Sequence, residues 1–359
     1  MTVPLPYCHP FDLILAVLRA RLGSQPPADG LREALARPAT EWEQVVAGAS
    51  AHHVLAAFAA AIDDLGLAHR LEPDLRDFLA AVHRWNGTRN RALRRQLGEV
   101  VTLLNGIGVE PVLLKGAIRL VDGLYPDPGW RMMHDLDLLV PPDRRVDAMA
   151  ALHRGSYATA AAYRHMEPSY DRHHHCPPLV RPDRPAPVEI HSELFVTRRQ
   201  QLLLPAGAML AAAAPIEVGD GRARLPDPGH QLIHLIGHCQ IADRGYLCGS
   251  VPLRDRLEAA ALARRAGPAL DAAALYRRFA TAGYGRHLTG FLLALADGGL
   301  HQASPSTAVD LVARLQARRV AWQARSGLPV EPWLRLAGRF VASATQATRL
   351  RGGGQALRA

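Results

Sequence analysis

The chain has 359 residues and a formal net charge of +9, and 48% of its residues are hydrophobic. This length can bury a substantial core in about two or three domains, and the abundance of Ala, Leu and Arg indicates a helix-rich globular protein. No apolar run approaches the roughly 20 residues of a membrane span, no signal-peptide pattern is visible, and four irregularly spaced cysteines predict no disulfide framework. We therefore expect a cytoplasmic protein without a membrane partner.

The positive charge is spread along the sequence in short arginine pairs. A groove that binds nucleic-acid strands would instead combine basic and aromatic residues, so we do not expect a nucleic-acid partner. One basic residue stands apart. Lys115 is the only lysine, and the other 41 of the 42 basic residues are arginine.

Residues 1–104 are predicted to form a helical N-terminal region. Apolar residues recur with a helical period over 51–65 and over 72–104. The second stretch fits either one long helix or two helices with a break near Asn86-Gly87. This region offers no obvious chemistry.

Residues 105–225 are predicted to form an α+β domain, because short apolar runs that suit strands alternate with helical segments. The predicted strands are 109–114, 134–140 and 187–194. The predicted helices are 115–124 and 142–154, and a His- and Pro-rich loop covers 165–186. The sequence becomes helical again over 226–348 and ends in a tail, 349–359, that we expect to be disordered.

Asp135 and Asp137 carry the main functional signal. Along a strand, side chains alternate between faces, so the two carboxylates would share one face and Leu136 would take the other. Aspartate is depleted in strands, and a divalent cation such as Mg²⁺ would relieve the repulsion between adjacent carboxylates. The alternative is a turn at a sheet edge in which both aspartates face water.

Lys115, Gly116 and Arg131 are the candidate phosphate-binding residues around this pair. Lys115-Gly116 follows an apolar strand and opens a predicted helix, a context in which backbone N–H groups hold phosphate. The lysine would add a point charge to that phosphate. Arg131 precedes Asp135 by four residues, and its alternative interpretation is a solvated side chain.

Glu189 and His191 repeat the same alternation in Val188-Glu-Ile-His191. Glu189 would be a third carboxylate that shares a cation or acts as general base on an acceptor hydroxyl. His191 would be a further substrate contact. A half-exposed amphipathic strand is the competing interpretation for both residues.

Together these motifs resemble an uncharacterised nucleotidyltransferase family of the DNA polymerase β-like superfamily. The resemblance covers about residues 100–260 and is carried by Leu113-Leu-Lys-Gly116, Tyr125-Pro-Asp-Pro-Gly129, Arg131, Asp135-Leu-Asp-Leu-Leu-Val140 and Val188-Glu-Ile-His191. It implies a polymerase β-like core, with a short mixed sheet and helices, between N- and C-terminal helical regions. It also implies metal-binding aspartates at Asp135 and Asp137, a third carboxylate at Glu189 and a phosphate-binding turn at Gly116. The sequence departs from the superfamily where Lys115-Gly116 replaces the usual Gly-Ser.

The resemblance further implies an enzyme that uses Mg²⁺, with Mn²⁺ as the alternative metal. Such an enzyme transfers a nucleoside monophosphate from a nucleoside triphosphate to an acceptor hydroxyl and releases pyrophosphate. ATP is the expected donor, while a small molecule, a peptide and a protein all remain open as acceptor. The alternative of another class is a regulatory or scaffold protein that retains the fold and binds nucleotide without turnover.

Two histidine clusters remain after these motifs. Adjacent residues in His173-His-His-Cys176 lack the ligand spacing of a zinc site, so we prefer a substrate-contacting loop to zinc and plain surface histidines to both. His230, His234 and His238 recur along one helix face without the Glu of an HExxH motif. We interpret them as polar packing against the catalytic domain, with substrate positioning as the other interpretation.

Overall fold

The computed structural model describes residues 9–23, 29–35, 39–125, 127–163, 174–300 and 311–326. Its N-terminal helices are α1 (Pro10–Gly23), α2 (Asp29–Ala34), α3 (Ala39–Ala51), α4 (Leu55–Asp64) and α5 (Pro73–Asn105). The first four bury their apolar faces against one another in a common core. The fifth is one continuous helix of 33 residues, so the predicted alternative of a break at Asn86-Gly87 is wrong.

Seven strands of the described chain form one mixed sheet. They are β1 (Val112–Leu113), β2 (Leu136–Leu139), β3 (Ala158–Thr159), β4 (Leu179–Val180), β5 (Val188–His191), β6 (Ala214–Val218) and β7 (Gly221–Leu225). Their order across the sheet is β3-β4-β5-β2-β1-β7-β6, and β2 runs parallel to β5 and antiparallel to β1. A short mixed sheet with helices confirms the predicted α+β class.

The sequence predicted three of these strands, and each is shorter in the structure than expected. It missed β3 and β4, because two-residue strands carry no readable alternation. It also missed the β6–β7 hairpin, in which most side chains of β6 are exposed, so that no buried apolar face marks the strand.

The remaining helices surround this sheet. They are α6 (Lys115–Arg119), α7 (Arg145–Arg154), α8 (Arg198–Gln201), α9 (Ala206–Ala212), α10 (Pro228–Gly237), α11 (Gly245–Cys248), α12 (Leu253–Ala266), α13 (Ala272–Thr281), α14 (Gly285–Asp297) and α15 (Leu311–Ser326). The helix predicted over 115–124 ends at Arg119. The predicted disordered tail, 349–359, lies outside the described residues.

The two faces of the sheet pack against different parts of the chain. Leu136 and Leu138 of β2 share a core with α5 and α7. Leu139, on the opposite face, shares a core with residues of α10, α12 and α14. Because side chains alternate along a strand, Asp137 lies on the face of Leu139, toward the C-terminal helices. The helices that pack on the face of Asp137 therefore include those of the C-terminal region.

None of the described helices is by itself long and apolar enough to cross a membrane. The pair Glu41–Ala51 and Leu55–Asp64 meets the length and composition criteria only when taken together, and it is bent by 118°. Apolar side chains of α4 are buried in the N-terminal core.

Candidate active site

Two neighbouring parallel strands bring three of the predicted side chains together. β2 and β5 are in register, so Asp137 stands opposite Glu189. Ligand atoms of Asp137, Glu189 and His191 all lie within 4.8 Å of one another. Asp135 lies outside this group, because β2 begins only at Leu136 rather than at residue 134 as predicted.

Asp137 is completely enclosed, with 0% of its surface exposed. Its Oδ1 accepts hydrogen bonds from Lys115 Nζ and from His191 Nε2, each at 2.8 Å. Burial alone would raise the pKa of Asp137, but Lys115 and His191 hold that pKa below its usual range. Its Oδ2 is buried and has no hydrogen-bond partner among the described residues. A buried, ionised oxygen without a partner is costly, so this one calls for a positive group.

The prediction that both aspartates might face water is therefore wrong for Asp137. Asp135 differs, because it is only partly buried. Burial and the charge of Asp137 raise the pKa of Asp135. The two aspartates thus do not act as an equivalent pair.

The only lysine of the chain lies directly against Asp137. Lys115 has a φ of 46°, in the left-handed region that residues with side chains rarely adopt and that clusters at functional sites. Burial would lower the pKa of Lys115, but the neighbouring carboxylates, Asp137 first, raise it. The adjoining Gly116 packs closely on Met133, since a Cβ at this position would lie 2.8 Å from the methionine Sδ.

Glu189 holds its proton more tightly than an ordinary carboxyl group. Burial and the charge of Asp137 raise the pKa of Glu189 to about 7, against the opposing effect of Lys115. Its side chain is 18% exposed. A carboxyl group that titrates near neutral pH can release its proton to solvent when a cation binds, or accept a proton from a hydroxyl group.

Three histidines fill the space next to Glu189. His191 is 1% exposed, and burial lowers its pKa to about 4, so its ring is neutral at neutral pH. The ring centroids of His174 and His175 lie 5.5 and 5.2 Å from that of His191. Burial lowers the pKa of His174 to about 3. The interpretation of a half-exposed His191 is wrong. His174 and His175 are partly buried, so their interpretation as surface histidines remains a prediction, and His173 lies outside the described residues.

Arg131 takes part in a buried ion-pair network. Its Nε lies 2.8 Å from Glu258 Oε2, and Arg119 Nε lies 3.3 Å from Glu258 Oε1. Arg119 also bonds Asp122 and Gln231. Since Arg131 is only 9% exposed, its interpretation as a solvated side chain is wrong. Its predicted phosphate contact remains a prediction.

Two asparagines of α5, which the sequence analysis missed, hold the segment that leads to Asp135. Asn86 Nδ2 donates to the carbonyl oxygen of Gly129 at 2.6 Å, and Asn90 Nδ2 donates to that of Arg131 at 2.7 Å. Both asparagines are buried. No local pattern marked these asparagines, because α5 exposes much of its surface, including Trp85 directly before Asn86.

A cavity of about 180 Å³ lies beside these side chains, and we call it the catalytic cavity. Residues of the predicted site and two histidines of the C-terminal region contribute to its lining, namely Lys115, Gly116, Arg131, Asp135, His234 and His238. Asp137, Glu189 and His191 are not among its lining residues. Lys115 connects the cavity to Asp137, because it lines the cavity and donates a hydrogen bond to that carboxylate.

His234 and His238 of the C-terminal region line this cavity. Burial lowers the pKa of His234 well below its usual value. His238 Nδ1 lies 3.0 Å from Asp243 Oδ2. The α-helix changes to a π-helix over His238–Ala242, a distortion that often marks functional sites. Polar packing and substrate positioning both remain predictions for these histidines.

The donor atoms beside Lys115 fit a divalent cation. Asp137 Oδ2 has no hydrogen-bond partner among the described residues, and the Glu189 carboxylate stands next to it. Carboxylates suit Mg²⁺ and Mn²⁺, whereas imidazole is a more usual ligand of zinc. Because His191 already donates its Nε2 hydrogen to Asp137, the carboxylates are the better ligands.

A family model described as an uncharacterised nucleotidyltransferase matches residues 38–297 of the chain. The matched range runs from the N-terminal helices to the end of α14 and contains every residue of the site described above. No curated protein and no solved structure matches the chain.

Proposed function

Because the chain belongs to the uncharacterised nucleotidyltransferase family, we propose that it transfers a nucleoside monophosphate from a nucleoside triphosphate to an acceptor hydroxyl. The observation that carries the proposal is the buried, ionised Asp137 carboxylate, with one oxygen bonded to Lys115 and the other without a partner among the described residues. We also propose a polymerase β-like catalytic core over 105–225 between the helical regions 1–104 and 226–348.

Asp137, Glu189 and Asp135 are the carboxylates proposed to hold Mg²⁺ or Mn²⁺. When bound, the cation neutralises charge on the phosphates of the donor, which we expect to be ATP. His191 was predicted to contact the substrate. Its hydrogen bond to Asp137 at 2.8 Å supports a different role, in which it fixes the orientation of that carboxylate.

In the transfer, the acceptor oxygen forms a bond to the α-phosphorus while the bond from that phosphorus to the pyrophosphate oxygen breaks. Pyrophosphate leaves with the electron pair. Glu189, whose carboxyl group lies next to Asp137, accepts the hydroxyl proton. Lys115, Gly116 and Arg131 orient the triphosphate from the wall of the catalytic cavity.

The test is transfer of label from α-labelled ATP and GTP, with Mg²⁺ or Mn²⁺, to a panel of hydroxyl-bearing small molecules and peptides. We expect wild type to label at least one acceptor and Asp137→Asn to lose about 10³-fold of that activity. Asp220→Asn, at an exposed position outside the site, is the matched control and should behave as wild type.

Equal transfer by wild type and Asp137→Asn would contradict the assignment of the site. A different result would distinguish the alternative function, nucleotide binding without turnover, from the proposed transfer. Cation-dependent binding of a non-hydrolysable ATP analogue, without transfer to any acceptor, would favour a regulatory or scaffold protein that retains the fold.

A further inference from the structure

A second and larger cavity, of about 740 Å³, lies between the N-terminal and C-terminal helices, and we call it the helical cavity. Its lining residues come from α1 and α3, from the stretch between the π-helix and the start of α12, and from α15. This volume lies in the range of small-molecule sites. No motif in the sequence indicated a function for the residues that line this cavity.

Arg256 is the feature of this cavity that points to a ligand. The residue is 1% exposed, and burial lowers its pKa to about 10. Its Nε donates to the carbonyl oxygen of Val251 at 2.9 Å and its Nη1 to that of Ala294 at 3.3 Å. Its Nη2 is buried without a hydrogen-bond partner in the described part of the chain. A buried guanidinium with a free donor is costly unless an anion meets it.

The other arginines that line the cavity are already paired. Arg325 Nη2 lies 2.8 Å from Asp12 Oδ1, and Arg254 Nε lies 2.8 Å from Asp255 Oδ1. No ion pair of Arg256 with a carboxylate is present among the residues that the structure describes. The positive charge available to a ligand in this cavity is therefore that of Arg256.

An unsatisfied acceptor faces the same cavity from α15. Gln323 lines the cavity, and its Oε1 is buried without a hydrogen-bond partner among the described residues. A ligand that supplies anionic oxygens to Arg256 and a hydroxyl or amino hydrogen to Gln323 would satisfy both atoms. A small molecule with an anionic group and a hydroxyl group has this chemistry.

The helical cavity and the catalytic cavity share a wall. Cys239, Arg254 and Asp255 line both of them, so the two spaces adjoin at these side chains. The His238–Asp243 pair spans the same boundary, since Asp243 lines the helical cavity and His238 the catalytic cavity. A molecule in the larger space would thus lie next to the site proposed for the nucleotide.

We propose that the helical cavity binds a small anionic molecule, through carboxylate or phosphate oxygens on Arg256, and that this molecule is the acceptor of the transfer. The binding of this molecule is inferred from the helical cavity alone. Its role as acceptor rests on the proposed function, with its hydroxyl oxygen as the atom that bonds to the α-phosphorus.

The binding step is tested by calorimetry with inorganic phosphate and with succinate, in the absence of nucleotide and divalent cation. We expect at least one of these anions to bind wild type saturably and Arg256→Gln to bind it about 10- to 100-fold more weakly, the value of a lost charged hydrogen bond. The control Arg264→Gln changes an exposed arginine of the same helix outside both cavities and should not alter binding.

Two further variants keep the test valid if Arg256→Gln does not fold. Ala47→Trp fills the cavity from an exposed position, and Gln323→Glu places a repelling carboxylate at its wall without changing side-chain size. Both should weaken anion binding. Lys115→Met controls for binding at the catalytic cavity. Binding that is lost in Lys115→Met but kept in the helical-cavity variants would overturn the proposal, as would no saturable binding of either anion at millimolar concentration.

The acceptor role is tested separately with α-labelled ATP, a divalent cation, and panels of hydroxy acids and sugar phosphates. We expect one of them to be labelled, with Arg256→Gln raising the KM for the acceptor about 10-fold or more and changing kcat little. Labelling that does not respond to Arg256→Gln would overturn the acceptor role. Anion binding that depends on Arg256, without labelling by wild type, would uphold the cavity and contradict the proposed transfer.

Discussion

Beside the catalytic cavity, a buried atom without a hydrogen-bond partner among the described residues is a carboxylate oxygen, Asp137 Oδ2. At the helical cavity, such an atom is a guanidinium nitrogen, Arg256 Nη2. The first site therefore suits a cation and the second an anion. The first is built around the neighbouring strands β2 and β5, whereas the second joins residues from 9 to 326. The two sites thus differ in the sign of the charge that each leaves unsatisfied, and under the proposed function this difference would direct a nucleotide with its cation to one site and an anionic acceptor to the other.

Glu258 provides the largest expected effect on stability, because it neutralises buried arginines next to the catalytic cavity. Glu258→Gln leaves Arg131 without its carboxylate and Arg119 with Asp122 alone, and we expect the free energy of unfolding to fall by about 3–5 kcal/mol. Arg256→Met removes a buried charge that no described carboxylate pairs, and should change stability by only about 1 kcal/mol. Denaturant unfolding measures both. Equal losses would contradict the contrast between paired and unpaired arginines.

Lys115 tests whether the two cavities work independently. Lys115→Met removes the ammonium group that bonds Asp137, and we expect label transfer from ATP to fall by about 10²- to 10³-fold. Anion binding in the helical cavity should stay at the wild-type value. Lys115→Arg, which retains the charge, is the matched variant and should recover part of the activity. A parallel loss of anion binding in Lys115→Met would show that the anion occupies the catalytic cavity.

Glu189 should make cation binding depend on pH. Its pKa of about 7 means that the folded protein keeps this proton up to neutral pH, and a cation that binds the carboxylate must displace it. We expect Mn²⁺ affinity to fall as pH decreases below about 7, by up to about 10-fold per pH unit. Calorimetry in buffers of different ionisation enthalpy measures the released proton. Glu189→Gln should bind Mn²⁺ more weakly and without this proton release.

The same pKa shift has a consequence for stability without a cation. In the unfolded chain the pKa of Glu189 lies near 4.5, the ordinary value of a glutamate, but in the folded protein it lies near 7. The folded state therefore binds more protons between these values, so Glu189 makes the protein less stable as pH rises through this window. Glu189→Gln should remove that part of the pH dependence of the unfolding free energy. An unchanged profile would mean that the carboxyl group is not buried as described.

The smallest expected effect is on the rate at which an amine reagent modifies Lys115, the only lysine in the sequence. An amine reagent can modify only this ε-amino group and the chain terminus, and the lysine side chain is 25% exposed and bonded to Asp137. We expect slow modification of Lys115, slowed several-fold more by a cation with a non-hydrolysable ATP analogue. Succinate or phosphate in the helical cavity should give no such protection. Peptide mass analysis separates the two amines, and protection by succinate alone would contradict the separation of the cavities.

Part of the candidate site could be predicted from the sequence, because alternation along short strands is a local signal. Asp137 and Glu189 were selected in this way, whereas Lys115 was selected as the only lysine, directly before a glycine; the parallel register of β2 and β5 brings Asp137 and Glu189 together. The partnership of Lys115 with Asp137 could not be predicted, since it depends on how β1 and β2 meet. The start of β2 was also placed too early, so that Asp135 was given the same position on the strand as Asp137.

The helical cavity could not be predicted, because each of its residues looks ordinary in its own helix. Arg256 lies in an arginine-rich stretch of α12, and its burial distinguishes it from the exposed Arg264 and Arg265. Asn86 and Asn90 of α5 were missed for a related reason. Their partners lie about 40 residues further along the chain, beyond the reach of any local pattern.

The most direct test of the cation site is titration of Mn²⁺, followed by electron paramagnetic resonance, into wild type, Asp137→Asn and Arg256→Gln. We expect Asp137→Asn to lower Mn²⁺ affinity by at least about 10-fold, and we expect Arg256→Gln and the surface control Asp220→Asn to bind Mn²⁺ as wild type does. Wild-type affinity in Asp137→Asn would contradict the claim that this buried carboxylate holds the cation.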